Sequence, residues 1–240
     1  MTVDRQIIVP LDVSTPAAAL ALVDQLPQVS FWKVGLELFI SAGPSIIEEL
    51  KVRNKRVFLD LKLHDIPNTM AGACAAATRY GVDLLTLHAA AGQVALETAL
   101  AAAQTEATAT DTPLPLIVAV TLLTSISSEA LATELRVPLN PTDYTLQMAL
   151  LAQSTGLGGV VCSPQEVGQL RRFLPADFAL VCPGVRPTWA SANDQQRTLT
   201  PAQALQAGAT YLVIGRPITA SPNPAAAFQR IIDECAVVVG

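Results

Sequence analysis

Short apolar runs bounded by turn-forming residues recur along the chain, alternating with longer stretches in which alanine and leucine are interrupted by charged and amide residues. The short runs suit strands buried on both faces, and the longer stretches have the length of amphipathic helices. This reading predicts strands at residues 6–11, 31–34, 57–61, 84–87, 116–120, 159–161, 179–182 and 211–214, each followed by a possible helix. Eight such units in roughly 250 residues match an α/β fold of the (β/α)8 TIM barrel type, whereas a doubly wound sheet more often stops at about five to seven strands. No linker-like joint divides the 240 residues, so residues 1–240 are expected to form a single barrel domain.

Two less regular segments follow strand ends, residues 121–143 after the fifth strand and 183–197 after the seventh, where a barrel places its working loops. A third polar stretch, "QTEATATDTPLPL", precedes the fifth strand and is expected on the opposite face, without a functional role.

Composition narrows the classes. The hydrophobic fraction of 51% owes much to alanine, and runs such as "PAAALALVDQL" and "VALETALAAAQ" break before the ~18 apolar residues a bilayer span needs. The start, "MTVDRQIIVPLDV", has neither a basic region nor a small-residue cleavage site, so no secretory signal is readable and a cytoplasmic location is the default. Cys74, Cys162, Cys182 and Cys235 form no C-x-x-C pair and read as buried free thiols. A net charge of −5 without a Lys/Arg cluster argues against nucleic-acid or acidic-membrane binding.

Only 15% of residues are charged, yet "FLDLKLHDIPNT" places Asp60, Lys62 and Asp65 within six residues. In a strand, alternate side chains share a face with Cα atoms about 6.5–7 Å apart. Asp60 and Lys62 should therefore face the barrel axis at the strand's C-terminal end, with Leu59, Leu61 and Leu63 toward the helices and Asp65 just beyond. An isolated Asp/Lys pair is as readily a self-satisfied ion pair. However, Asp12 in "VPLD" and Lys33 in "FWKVG" bring further charge to the same mouth. Such crowding rarely improves on an apolar core, which favours a purpose beyond stability. Alternating ammonium and carboxylate groups favour one another's charged forms, and a lysine in such an array is a candidate proton donor.

The seventh strand leads into "PGVRP", with Arg186, and the eighth into "IGRPIT", with Gly215 and Arg216. Each alone is usually an ordinary turn. On adjacent strand ends, backbone donors with a cation make a candidate phosphate site. Gln195 in "ANDQQR" lies in a segment suited either to a lid over that phosphate or to an ordinary surface loop.

Taken in order, "PLD" at Asp12, "KVGLELF" from Lys33, "FLDLKLHDIPNT" from Phe58, "VTLLTS" around Thr124, "PGVRP" at Arg186, "ANDQQR" at Gln195 and "VIGRPIT" at Gly215 and Arg216 resemble the orotidine 5′-monophosphate decarboxylase family over nearly the whole chain. The resemblance implies a homodimeric barrel acting on a pyrimidine nucleotide with a carboxylate at C6, without metal or organic cofactor. It implies that Lys62 protonates C6, that Asp60 faces the departing carboxylate, and that Asp65 completes the array from the partner subunit. Lys33 and Asp12 are implied to contact the ribose and join the same network. Thr124 would meet the pyrimidine edge, and Thr69 the ribose across the dimer, while Arg186, Gln195, Gly215 and Arg216 would grip the phosphate. Departures from the pattern, Trp32 before Lys33 and Pro187 and Trp189 in the loop, touch none of the assigned catalytic residues.

Two rivals remain at this level. A Mg²⁺-dependent sugar-phosphate branch resembles the same barrel and shares a D-x-K-x-x-D strand, but its metal needs a carboxylate on the second strand, where this chain has Lys33 and offers only Glu37 four residues on. A non-catalytic nucleotide-binding barrel is opposed by the intact Asp60, Lys62 and Asp65 set. Of the two histidines, His64 reads as a structural hydrogen-bonding residue, and His88 closes the fourth strand near the mouth.

Overall fold

A computed structural model describes residues 2–190 and 199–239. Its strands are β1 (Ile7–Pro10), β2 (Phe31–Gly35), β3 (Arg56–Leu63), β4 (Leu84–His88), β5 (Leu116–Val120), β6 (Gly159–Val161), β7 (Ala179–Pro183) and β8 (Tyr211–Val213). Neighbours in sequence pair in parallel, and β8 closes onto β1 to complete the expected (β/α)8 barrel. The strands fall where the apolar runs predict, except that β3 continues past residue 61 to Leu63.

The continuous apolar runs conceal a period of two. Ile8, Phe31, Phe58, Leu84, Val118, Val181 and Tyr211 pack with one another and fill the barrel interior. The intervening Ile7, Val9, Val57, Leu59, Leu85, Leu87, Ile117 and Ala119 belong to the larger core shared with the helices. Burial on both faces is what a parallel sheet wrapped by helices requires. The lower end of the interior is closed by the Phe31 and Tyr211 rings, 5.7 Å apart edge to face, with the Arg56 guanidinium 3.9 Å over Phe31. Closure also makes a specific demand at Gly159, where a Cβ would lie 2.3 Å from the Ala179 carbonyl oxygen on the neighbouring strand.

Several helices begin at signals written locally. Thr15, Ser127, Asn140 and Thr200 each accept a backbone N–H at the start of Pro16–Gln25, Ser128–Thr133, Pro141–Ser154 and Pro201–Gln206. Three of these helices open with proline, whose missing N–H costs nothing in the first turn. The segment 121–143 thus contains one short helix and the start of another.

The polar stretch before the fifth strand is largely helical. Its first seven residues extend the helix Gln93–Thr110. Thr105, Thr108 and Thr110 donate their hydroxyls to the carbonyls of Ala101, Gln104 and Glu106, one turn back. Threonines that satisfy themselves in this way need no cap or turn, so composition is a poor guide to the helix end. Asp111 stops the helix in the left-handed conformation, at φ 51°.

Among the described residues, no helix is long and apolar enough to cross a membrane. All four cysteines are buried and free. Burial pushes the Cys74 and Cys235 thiols up to about 12, so neither is prepared as a nucleophile.

Candidate active site

The C-terminal ends of β1, β2 and β3 assemble the charges. Lys33 Nζ donates to Asp12 Oδ1 at 3.1 Å and lies 3.6 Å from Asp60 Oδ2. Lys62 Nζ donates to that same Asp60 oxygen at 2.9 Å. The order Asp12, Lys33, Asp60, Lys62 therefore alternates in sign, as the strand-end residues predict. Exposure is graded along it: the side chains of Asp60 and Lys33 are 11% and 12% exposed, while Lys62 is at 30% and Asp12 at 68%. The inner carboxylate is thus shared by two ammonium groups with little competition from water.

A regular strand does not produce this arrangement. The β3–β4 register shifts between Leu59 and Leu63, and Lys62 has φ 51°. A non-glycine residue held in the left-handed region costs about 1–3 kcal/mol and persists only where its surroundings fix it. Here the Lys62 N–H donates to Thr86 Oγ1 at 2.9 Å, and the Thr86 hydroxyl donates to Asp60 Oδ1 at 3.0 Å. Simple alternation thus predicts the right neighbours, but a bulge brings them together. Across the β2–β3 ladder, Gly35 is level with Asp60, and a Cβ there would lie 2.8 Å from Lys33 Nζ. Glycine at this position leaves the ammonium its place.

Three adjoining cavities extend from the array. The first, about 220 Å³, has Lys33, Asp60 and Lys62 on one side and Thr124 with the apolar Phe58, Val120 and Leu122 around it. The second, about 230 Å³, contains Asp12 and Lys33 together with Arg186, Gly215 and Arg216. The third, about 340 Å³, continues outward past Arg186, Arg216, Trp189 and Ser221. Lys33 joins the first to the second, and the two arginines join the second to the third. Asp60 and Lys62 in the first cavity and Arg186, Gly215 and Arg216 in the second therefore belong to one tract, with Asp12 and Lys33 beside the arginines. Gln195 lies outside the described residues.

Asp65 and Thr69 stand apart from that tract. Asp65 is exposed, and its Oδ1 accepts the Ile66 N–H at 2.6 Å; among the described residues it has no ion pair. With Thr69, His64 and the back of Lys62 it borders a separate depression of about 310 Å³. Glu37, the alternative metal ligand, is exposed in the first turn of the helix Leu36–Ala42 and lines none of these cavities. Lys33 places its ammonium where a cation would have to sit between Asp12 and Asp60, which disfavours a hard metal ion there.

His64 departs from its expected hydrogen-bonding role. Among the described residues its contact is with the His88 ring, 5.4 Å away centroid to centroid. Burial, then the proximity of His64 and Lys62, holds His88 below the ordinary histidine value, against an opposing pull from Asp60. The unfolded chain therefore binds the proton more readily than the native one. The stabilising contribution of neutral His88 is complete above pH ~6.5 and is lost as pH falls through the lowered native value. Thermal melts from about pH 7.5 to 5 should show a steeper loss of Tm in the native protein than in His88→Gln. Parallel curves would contradict this.

Thr86 is the residue that strand patterning leaves unnoticed. Its signal is one threonine between leucines in "LLTLH", at the parity of the interior residue Leu84. Such threonines are common in strands and carry no sign of their partner.

The chain is similar to known proteins over nearly its whole length. A model of the orotidine 5′-phosphate decarboxylase / HUMPS family matches residues 5–231. The orotidine 5′-phosphate decarboxylase of Gloeothece citriformis is 61% identical over 236 residues, covering 98% of this chain and 100% of the relative. That of Nostoc sp. is 58% identical over 234 residues, covering 98% of each chain. The crystal structure of orotidine 5′-phosphate decarboxylase from Lactobacillus acidophilus superposes with a TM-score of 0.84 at 35% identity, covering 95% of this chain and 98% of that one. With a closed eightfold barrel, an alternating Asp/Lys array at its mouth and relatives similar from end to end, the chain belongs to the orotidine 5′-phosphate decarboxylase / HUMPS family.

Proposed function

We propose that the protein is a carboxy-lyase that converts orotidine 5′-monophosphate to uridine 5′-monophosphate and CO₂ in pyrimidine nucleotide synthesis, without metal or organic cofactor. The carrying observation is the Asp12, Lys33, Asp60, Lys62 array in a tract where Asp12 and Lys33 share a cavity with Arg186, Gly215 and Arg216. The class of reaction is supported by relatives that are 57–61% identical over nearly the full chain and carry that activity in their names.

In this reading the base occupies the cavity between Phe58, Val120 and Leu122, with Thr124 at its polar edge. The bond from C6 to its carboxylate breaks, CO₂ leaves, and the electron pair remains on C6, where the ring offers it little delocalisation. Lys62, held 2.9 Å from Asp60 and the more open of the two lysines, stabilises that charge and transfers an Nζ proton to C6. Water then restores the proton to Lys62. Asp60 faces the departing carboxylate, and Lys33 holds Asp60 and Asp12 in register with the ribose. Binding at the phosphate end, where Gln195 is expected to join the arginines, supplies energy for ordering the reacting end.

The active unit in this proposal is a cytoplasmic homodimer in which Asp65 and Thr69 reach the partner's site. Their position beside Lys62 but outside its cavity supports this. So do the exposed Leu36, Ile40, Ile66 and Val94, which follow three consecutive strands and are 50–79% exposed.

The test is the ultraviolet absorbance of orotidine 5′-monophosphate mixed with purified protein in excess chelator. Conversion to uridine 5′-monophosphate is expected. No conversion, with activity on a sugar-phosphate acid restored by Mg²⁺, would overturn the proposal. Arg216→Ala should raise KM by about 10- to 100-fold, the loss expected for a charged hydrogen bond to phosphate, with a smaller change in kcat. Steady-state kinetics showing an unchanged KM would remove Arg216 from the phosphate end.

A further inference from the structure

We propose that Thr86 is a positioning residue for the Asp60–Lys62 pair: its hydroxyl joins the Lys62 main chain to the Asp60 carboxylate and so fixes both. The hydrogen-bond geometry stands independently of the decarboxylase reading, and its kinetic consequence rests on that reading.

A threonine hydroxyl has one proton to give. Because Lys62 N–H donates into Oγ1 at 2.9 Å, that proton is directed to Asp60 Oδ1, 3.0 Å away. Oδ1 being occupied, Asp60 presents Oδ2 to both ammonium groups, at 2.9 Å from Lys62 and 3.6 Å from Lys33. One bond thereby selects which carboxylate edge meets the lysines. The other bond holds the Lys62 backbone at φ 51°, where the shifted β3–β4 register removes the regular ladder. Thr86 is fully buried, so water does not replace either bond when the hydroxyl is lost. Its β-branched side chain has few rotamers, which makes it a stiff bracket. Thr86 lines none of the three cavities of the tract, so its action is through Asp60 and Lys62 rather than on substrate.

Thr86→Val keeps the shape and removes the hydroxyl, whereas Thr86→Ser keeps the hydroxyl and removes a methyl group. The valine variant should lose about 10- to 100-fold in kcat, as expected for a lost hydrogen bond to a charged group, with KM within about threefold. The serine variant should recover most of that loss. Amide hydrogen exchange at Lys62, followed by NMR, should accelerate in the valine variant and remain slow in the serine variant. The proposal is overturned by a valine kcat within about twofold of native, by a serine variant as impaired as valine, or by unchanged Lys62 exchange. A valine variant with lower Tm but native kcat in its folded fraction would also overturn it, since the role would then be structural. Should the native protein fail to decarboxylate, the exchange measurements still decide the bracket, and the functional reading fails separately.

Discussion

Lys62→Ala is expected to lower kcat by about 10⁴-fold or more, because one change removes both the proton donor and the cation nearest the developing charge. Binding of uridine 5′-monophosphate should weaken by no more than about 10-fold, since Arg186, Gly215 and Arg216 lie in the neighbouring cavity and keep their grip on the phosphate. Asp60 would retain Lys33 at 3.6 Å, which limits the disturbance to the remaining array. Single-turnover decarboxylation with enzyme in excess, paired with equilibrium titration of the nucleotide, separates the two effects. A variant within tenfold of native kcat would end the proton-donor assignment. Equal loss of binding and turnover would instead make Lys62 a general binding residue.

The second large effect is expected at Asp65. Asp65 is exposed and, among the described residues, bonded only to the adjacent Ile66 amide, while Lys62 pairs with Asp60. Nevertheless Asp65→Ala should reduce kcat by about 10²- to 10³-fold, the scale of removing one partner from a buried charge network, because the proposed dimer buries this carboxylate in the partner's site. Mixing inactive Lys62→Ala and Asp65→Ala proteins provides the discriminating measurement. Each mixed dimer contains one site with both residues intact, so random exchange of equal amounts should restore roughly a quarter of native sites. Confirmed subunit exchange without recovered activity would place Lys62 and Asp65 in the same site of one subunit.

The parts of the molecule legible in its amino acids are those governed by neighbours along the chain. Apolar runs such as the one at 116–120 announce buried strands, and "NPTD" and "TPAQ" carry the caps at Asn140 and Thr200. Charge in an otherwise apolar strand marks Asp60 and Lys62, and the Gly-Arg turns mark the proposed phosphate end at Gly215 and Arg216. Motif order carries the family resemblance, and the comparisons support it. Where self-satisfying threonines prolong a helix to Thr110, composition misleads, since their hydrogen bonds run one turn back and resemble loop chemistry only in residue type.

The sequence by itself therefore determined the order of strands, the location of the charges and the position of the two Gly-Arg turns beside them. Tertiary structure alone decided how those charges meet. Lys62 takes its left-handed bulge because its amide finds Thr86, 24 residues away on the next strand, and the same hydroxyl selects the free edge of Asp60. Lys33 reaches both Asp12 and Asp60 because Gly35 leaves its ammonium room, and Asp65 turns outward to a second depression. Strand and cap preferences act over a few residues, whereas hydrogen bonds and ion pairs couple whichever groups barrel closure brings within about 3 Å.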